Sequence, residues 1–264
     1  MYEQTTCSFT APSGTRVGYE RYGEGPPLVL IHGAFSDHQT NWSYVKPLLA
    51  PHFTMHAMAR RGRGATEATV GHSLNEEAQD AAALIRRIGE PVFLLGHSYG
   101  ALVALGAAME VPHLVRRLVL YEAAWPNLID EGSMECLEGL AGAGDWNAFA
   151  TSFFGKVLEV PTEVLEALRR SADWAPILAD APASLNDLRA LRRHDFDPEQ
   201  YGAALTMPVL LQVGSESPRD FYITDALAAV LPDVAISELE GQAHEGMTTA
   251  PEQYAAAVRR FLDA

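Results

Sequence analysis

Apolar and polar positions along this chain fall into two alternating patterns. Arg16-Val17-Gly18-Tyr19-Glu20-Arg21-Tyr22 alternates in character, as a half-exposed strand does. Gly23 to Pro27 reads as a turn. Leu28-Val29-Leu30-Ile31 is apolar throughout, the pattern of a strand covered on both faces. Further strands are expected at Thr54–Met58, Val92–Leu95, Leu118–Tyr121, Pro208–Gly214 and Ala235–Leu239. Helical patterns lie between them. Ser73-Leu74-Asn75-Glu76 has the form of a capping box, and Gly89 is placed to end the helix that runs to Ile88. Ala101-Leu102-Val103-Ala104-Leu105 reads as helix. Pro251 to Leu262 joins a proline start to the spacing of a closing amphipathic helix.

Strands alternating with helices imply an α/β domain with a mostly parallel sheet covered on both faces. One interval breaks the rhythm. From Trp125 to about Gln200 no good strand occurs, while Trp146, Phe149, Phe153, Phe154 and Trp174 lie among helix-forming stretches such as Glu163–Arg170. The interval is too long for a crossover and too apolar for disorder. The expected organisation is a core of residues 1–124 and 201–264, with residues 125–200 a helical lid or cap over the C-terminal edge of the sheet.

Chemistry enters at Gly96-His97-Ser98-Tyr99-Gly100, which directly follows an apolar strand and directly precedes the Ala/Leu-rich helix. A serine between two glycines at such a junction is a nucleophile elbow: a tight, strained turn that thrusts the hydroxyl out at the sheet edge. Ser98 is therefore the candidate nucleophile. It needs a base, and His244 lies in a loop after the last expected strand, at the same edge. Neutral imidazole can take the serine proton and later return it to a leaving group.

Composition narrows the function classes. The chain has 264 residues, 48% hydrophobic and 20% charged, with a formal net charge of −15. The acidic balance opposes binding to nucleic acid or anionic membrane. Arginine pairs such as Arg86-Arg87 and Arg192-Arg193 read as solvated helix faces. The two cysteines, Cys7 and Cys136, form no disulfide framework, and no Cys/His cluster has metal-ligand spacing. No metal or cofactor is expected, and the partner is a small-molecule substrate. No signal peptide or membrane-spanning stretch is visible, which makes the cytoplasm the default location. The oligomeric state stays open.

The order of elements and three sites resemble the α/β-hydrolase superfamily over nearly the whole chain. The sites are His32-Gly33, the elbow, and His244 within Gly241-Gln242-Ala243-His244-Glu245-Gly246. The resemblance implies an eight-stranded, mostly parallel sheet with the cap inserted after strand six. It also implies that His32 braces an oxyanion loop, whose donors would be the backbone N–H groups of Tyr99 and Ala34, with Phe35 the next candidate. His97 is expected to point away below the turn, and His38 either lines the pocket or is a plain loop residue. Arg60-Arg61-Gly62-Arg63-Gly64 is similar to the family's loop after strand four, with Ala59 in the usual acidic slot, and reads as structural support.

The acid departs from the common family pattern. The usual aspartate slot, three residues beyond Gly214, holds Ser217, with Glu216 adjacent and Asp220 a little further on. A second location known in the superfamily, just after strand six, holds Glu122. The candidates are Glu122, then Glu216, then Asp220. Serine with two backbone donors suits ester hydrolysis through an acyl-enzyme. Phe35, Trp125 and Met247 are expected at the pocket, for a small to medium, largely apolar substrate. An Asp-nucleophile dehalogenase or epoxide hydrolase is set aside because the position holds serine. The alternatives are a carbon–carbon bond hydrolase, a cofactor-free peroxidase, and a non-catalytic ligand receptor on the same fold.

Overall fold

A computed structural model of the chain describes residues 2–68 and 71–264. Eight strands form one sheet: β1 (Thr5–Thr10), β2 (Arg16–Tyr22), β3 (Pro27–Ile31), β4 (Thr54–Met58), β5 (Val92–His97), β6 (Val115–Tyr121), β7 (Val209–Gly214) and β8 (Val234–Leu239). Their order across the sheet is β1-β2-β4-β3-β5-β6-β7-β8. Only β2 runs against its neighbours; the pairs from β4 to β8 are all parallel. Six adjacent parallel strands, β4, β3 and β5 to β8, therefore end at one edge. Loops from those ends can converge on a common point, and ligands bind at such edges.

The apolar runs are explained by burial on two sides. In β3, Val29 and Ile31 join one core cluster while Leu28 and Leu30 join the other. In β5, Leu94 lies in the first cluster and Phe93 and Leu95 in the second. The helix Tyr99–Glu110 is apolar nearly all round and buried along most of its length. It lies against Leu74–Ile88 so closely that a Cβ on Gly106 would come within 2.8 Å of the Ala78 Cβ. Leu74–Ile88 begins with the reciprocal Ser73/Glu76 capping box and ends at Gly89 with φ 83°, as its sequence anticipates.

The strand absent from the sequence reading is β1. It pairs only with β2, is half-exposed along its length, and turns just Cys7 and Phe9 toward the core. Between β6 and β7 the chain forms helices, chiefly Glu131–Gly142, Trp146–Ser152, Thr162–Arg170 and Trp174–Arg192. The helix Pro198–Ala204 runs across the expected boundary at residue 200. No helix among the described residues is long and apolar enough to cross a membrane.

Candidate active site

Ser98 sits between β5 and its helix with φ 55° and ψ −124°. Such a backbone stores roughly 1–3 kcal/mol of strain and persists only where its surroundings dictate it. Here the Ser98 N–H donates to the Tyr121 carbonyl and the Ala101 N–H donates to the Ser98 carbonyl, both at 2.9 Å. The flanking glycines are obligatory. A Cβ on Gly96 would lie 2.5 Å from the Gly100 carbonyl oxygen, and one on Gly100 would lie 2.2 Å from that of His32. The loop after β3 also comes close, since a Cβ on Gly33 would stand 3.2 Å from the Ser98 Cβ.

His244 reaches the same place from the loop after β8. Its carbonyl accepts a hydrogen bond from His97 Nε2 at 3.1 Å, and the two rings pack with centroids 4.7 Å apart. Tyr222 stacks on the His244 ring at 5.4 Å, the two planes nearly parallel at 9°. Thus the imidazole is packed against the residue that precedes Ser98. Its Nδ1–H donates to Glu122 Oε2 at 2.6 Å.

Glu122 is fully buried at the end of β6, with φ 47°. Its other oxygen, Oε1, accepts the Gly214 N–H at 2.7 Å. Glu216 and Asp220 are exposed, and among the described residues the carboxylate that hydrogen-bonds and pairs with His244 is Glu122. Ser217, in the slot after β7, is buried beside the Glu122 carboxylate. Burial would raise the Glu122 pKa, but the His244 hydrogen bond and charge, with the Ser217 hydroxyl and Gly214 N–H, hold it below the ordinary value. For His244 burial pulls downward; the Glu122 hydrogen bond and charge, with the charge of Glu245, outweigh it and raise the imidazole above its usual value. Each partner stabilises the charged form of the other.

The loop after β3 is held from several sides. His32 is fully buried and neutral, its pKa driven well down by burial and then by the charges of Arg60 and Arg63. It donates from Nδ1 to the Gly33 carbonyl at 2.8 Å and accepts the Arg60 N–H at Nε2 at 3.2 Å. The Gly33 N–H donates to Asn41 Oδ1 at 3.1 Å, and the Phe35 N–H to Ser184 Oγ at 2.7 Å. The N–H groups of Ala34 and Tyr99 have no acceptor among the described residues. Phe35 has φ 55°, and its ring packs on Phe153 at 4.7 Å, Phe154 at 5.1 Å and Phe149 at 5.7 Å, all from the helical insertion.

Of the other expected pocket residues, Trp125 is half-buried and meets Phe196 edge-on at 5.3 Å. Met247 is 1% exposed and lies in the core cluster with Leu239, Tyr121 and Tyr254. His38 is buried by the Gly64 turn, with Nε2 3.7 Å from Glu20.

Residue-type reasoning missed a buried ionic network under this loop. Arg60 is fully buried and pairs with Glu77 at 3.1 Å and Asp187 at 2.6 Å. It also donates to the carbonyls of His32 at 2.9 Å and Gly33 at 3.0 Å, and lies 4.5 Å over the Tyr99 ring. His72, Glu77 and Asp187 have the spacing of a metal site, as do His97, His244 and Glu245. The carboxylates of the first group already neutralise Arg60, and His244 of the second is committed to Glu122.

The chain is similar to known proteins along most of its length. It is 29% identical over 259 residues to a 2-(acetamidomethylene)succinate hydrolase of Mesorhizobium japonicum, covering 92% of this chain and 90% of that one. It is 27% identical over 270 residues to an N-formylmaleamate deformylase of Pseudomonas putida, covering 95% and 94%. Among solved structures, an alpha/beta hydrolase from Sphaerobacter thermophilus superposes with a TM-score of 0.84 at 28% identity, over 97% of this chain and all of the other. A sequence profile of the alpha/beta hydrolase family matches residues 28–257. The eight-stranded sheet, the serine elbow and that match agree: the chain belongs to the alpha/beta hydrolase family.

Proposed function

We propose that this hydrolase is a serine enzyme in which Ser98 is the nucleophile, His244 the base and Glu122 the acid. Its reaction is the cleavage of a carboxylic ester of a small to medium, largely apolar substrate. The observation that carries this reading is the 2.6 Å bond between His244 Nδ1 and the buried Glu122, made while the imidazole packs beside the Ser98 turn. Glu122 fixes the tautomer that leaves Nε2 free to accept a proton. Ser98 Oγ attacks the ester carbonyl carbon as its proton passes to His244 Nε2. The N–H groups of Ala34 and Tyr99 stabilise the oxyanion. Collapse breaks the bond to the alcohol, which leaves with the proton from His244, and water repeats the sequence on the acyl-enzyme. The helical insertion serves as a lid, and the phenylalanines that it packs on Phe35 favour an apolar substrate.

A second reading follows from the relatives. The names of both curated hydrolases specify a short acyl group on nitrogen, which favours amide cleavage by the same three residues. Steady-state hydrolysis of p-nitrophenyl acetate and butyrate, beside N-formyl and N-acetyl amides, separates the two readings. Ester turnover that Ser98→Ala abolishes supports the first; amide turnover well above ester turnover supports the second. Hydrolysis that survives Ser98→Ala removes both.

A further inference from the structure

We propose that Ser184, on the helical insertion, is a positioning residue for the oxyanion loop, so that the loop takes its working shape only with the insertion closed. The inference rests on the reading of Ser98 as nucleophile and of Ala34 as an oxyanion donor.

The Ala34 N–H can point in a useful direction only if the peptide units on either side of Ala34 are both fixed. The first unit, Gly33 C=O to Ala34 N–H, is fixed through its oxygen, which accepts from Arg60 Nη2 at 3.0 Å and His32 Nδ1 at 2.8 Å. The second unit, Ala34 C=O to Phe35 N–H, is fixed through its hydrogen, which Ser184 Oγ accepts at 2.7 Å. Phe35 has φ 55°, a conformation that a non-glycine residue does not keep unaided. The Ser184 bond is thus one restraint on a strained unit next to the proposed donor.

Ser184 is itself locked. It is fully buried, and a hydroxyl has one proton and two acceptor sites. The proton goes to Asp180 Oδ2 at 2.7 Å, and the acceptor sites take the Phe35 N–H and Arg63 Nη2, the latter at 3.2 Å. Asp180 receives a two-pronged bond from Arg63, with both contacts at 2.9 Å. Arg63 also pairs with Asp187 at 2.7 Å, and Asp187 with Arg60 at 2.6 Å. Asp180, Ser184 and Asp187 follow an i, i+4, i+7 spacing, so one face of the helix Trp174–Arg192 carries all three. Both peptide units beside Ala34 are therefore tied to that face, one through Ser184 and the other through Arg60 and Asp187. Withdrawing the face would free the Phe35 unit outright and take from Arg60 one of its two carboxylate partners, leaving the Gly33 unit to His32 and the Arg60–Glu77 pair.

The test compares Ser184→Ala, Ser184→Cys and Arg189→Ala with the unaltered protein, using p-nitrophenyl acetate and active sites counted with a fluorophosphonate. Arg189→Ala, on the same helix as Ser184, removes an exposed pair with Glu138 of the helix Glu131–Gly142 and should leave kcat unchanged. Ser184→Ala should lower kcat per active site roughly 10- to 100-fold with KM little changed, the scale expected for a misplaced donor. Ser184→Cys keeps a weak acceptor of similar size and should fall between the two, and it replaces the alanine variant if that does not fold. Hydrogen exchange should rise at least severalfold in the Phe35 segment and stay constant in the helix after Ser98. An unchanged kcat per site, or unchanged exchange at Phe35, overturns the inference. Absence of esterase or amidase activity in the unaltered protein, or its survival in Ser98→Ala, instead overturns the reading beneath it.

Discussion

Replacing Glu122 with glutamine changes one atom and should disable the enzyme. The Gly214 N–H donates to Glu122 Oε1 at 2.7 Å, and this buried donor requires an oxygen. The amide of Glu122→Gln must therefore turn its oxygen to Gly214 and its NH2 to His244 Nδ1. An NH2 at 2.6 Å from Nδ1, where the carboxylate oxygen now lies, obliges Nδ1 to accept and moves the ring proton to Nε2. That nitrogen can then no longer take the Ser98 proton. The expected fall in kcat is roughly 10³–10⁴, or about 4–5.5 kcal/mol of lost transition-state stabilisation. Initial rates on p-nitrophenyl acetate, normalised to fluorophosphonate-titrated sites, measure it. Glu216→Gln and Asp220→Asn should match the unaltered protein. Should Glu122→Gln keep more than about a tenth of kcat while either of the others collapses, the tautomer reasoning and the choice of acid are both wrong.

Other consequences are equally open to measurement. The His244 imidazole should titrate above the ordinary value of about 6.5, so kcat/KM should fall as pH drops through that raised value and the base becomes charged. In Glu122→Gln, where burial acts with less opposition, the NMR titration of His244 should shift downward; an unchanged midpoint would mean that Glu122 does not hold the proton. Asp187→Asn should lower the unfolding free energy by about 3–5 kcal/mol, because it leaves Arg60 and Arg63 under-compensated in the interior; a loss below about 1 kcal/mol in urea titrations would contradict this. The Asp187 carboxyl is desolvated, but the charges of Arg60 and Arg63 hold its folded pKa well below the ordinary value. Its contribution is complete above the unfolded carboxylate pKa and is lost as pH falls toward the folded one, so Asp187→Asn should flatten the acid limb of the stability curve. Gly100→Ala, whose Cβ would meet the His32 carbonyl at 2.2 Å, should destabilise the fold by about 3 kcal/mol or more. Retention of the full melting temperature would show that the turn can open.

The parts of the fold that are legible in the sequence share a physical cause. Leu28–Ile31 and Val92–Leu95 read as strands because both faces are buried. The elbow was legible because neither Gly96 nor Gly100 has room for a side chain, which leaves a mark in the local sequence. Half-exposed β1 carries only two core-facing residues and leaves almost none. The acid was ambiguous because the ends of β6 and β7 are adjacent in the sheet, and adjacency belongs to the fold. Arg86-Arg87 and Arg192-Arg193, which read as solvated, are exposed, while the Arg60–Gly64 loop, which reads as structural support, holds the buried Arg60, Arg61 and Arg63. Their partners Glu77, Asp80, Asp180 and Asp187 are spread over two distant helices, and no short window could have joined them.

The most direct measurement is mass spectrometry of the protein after reaction with a fluorophosphonate. A nucleophile at Ser98 gives one adduct per chain, on the peptide carrying Gly96-His97-Ser98-Tyr99-Gly100, and none in Ser98→Ala or, at the same exposure, in His244→Ala. An adduct on any other residue, or full labelling of Ser98→Ala, contradicts it.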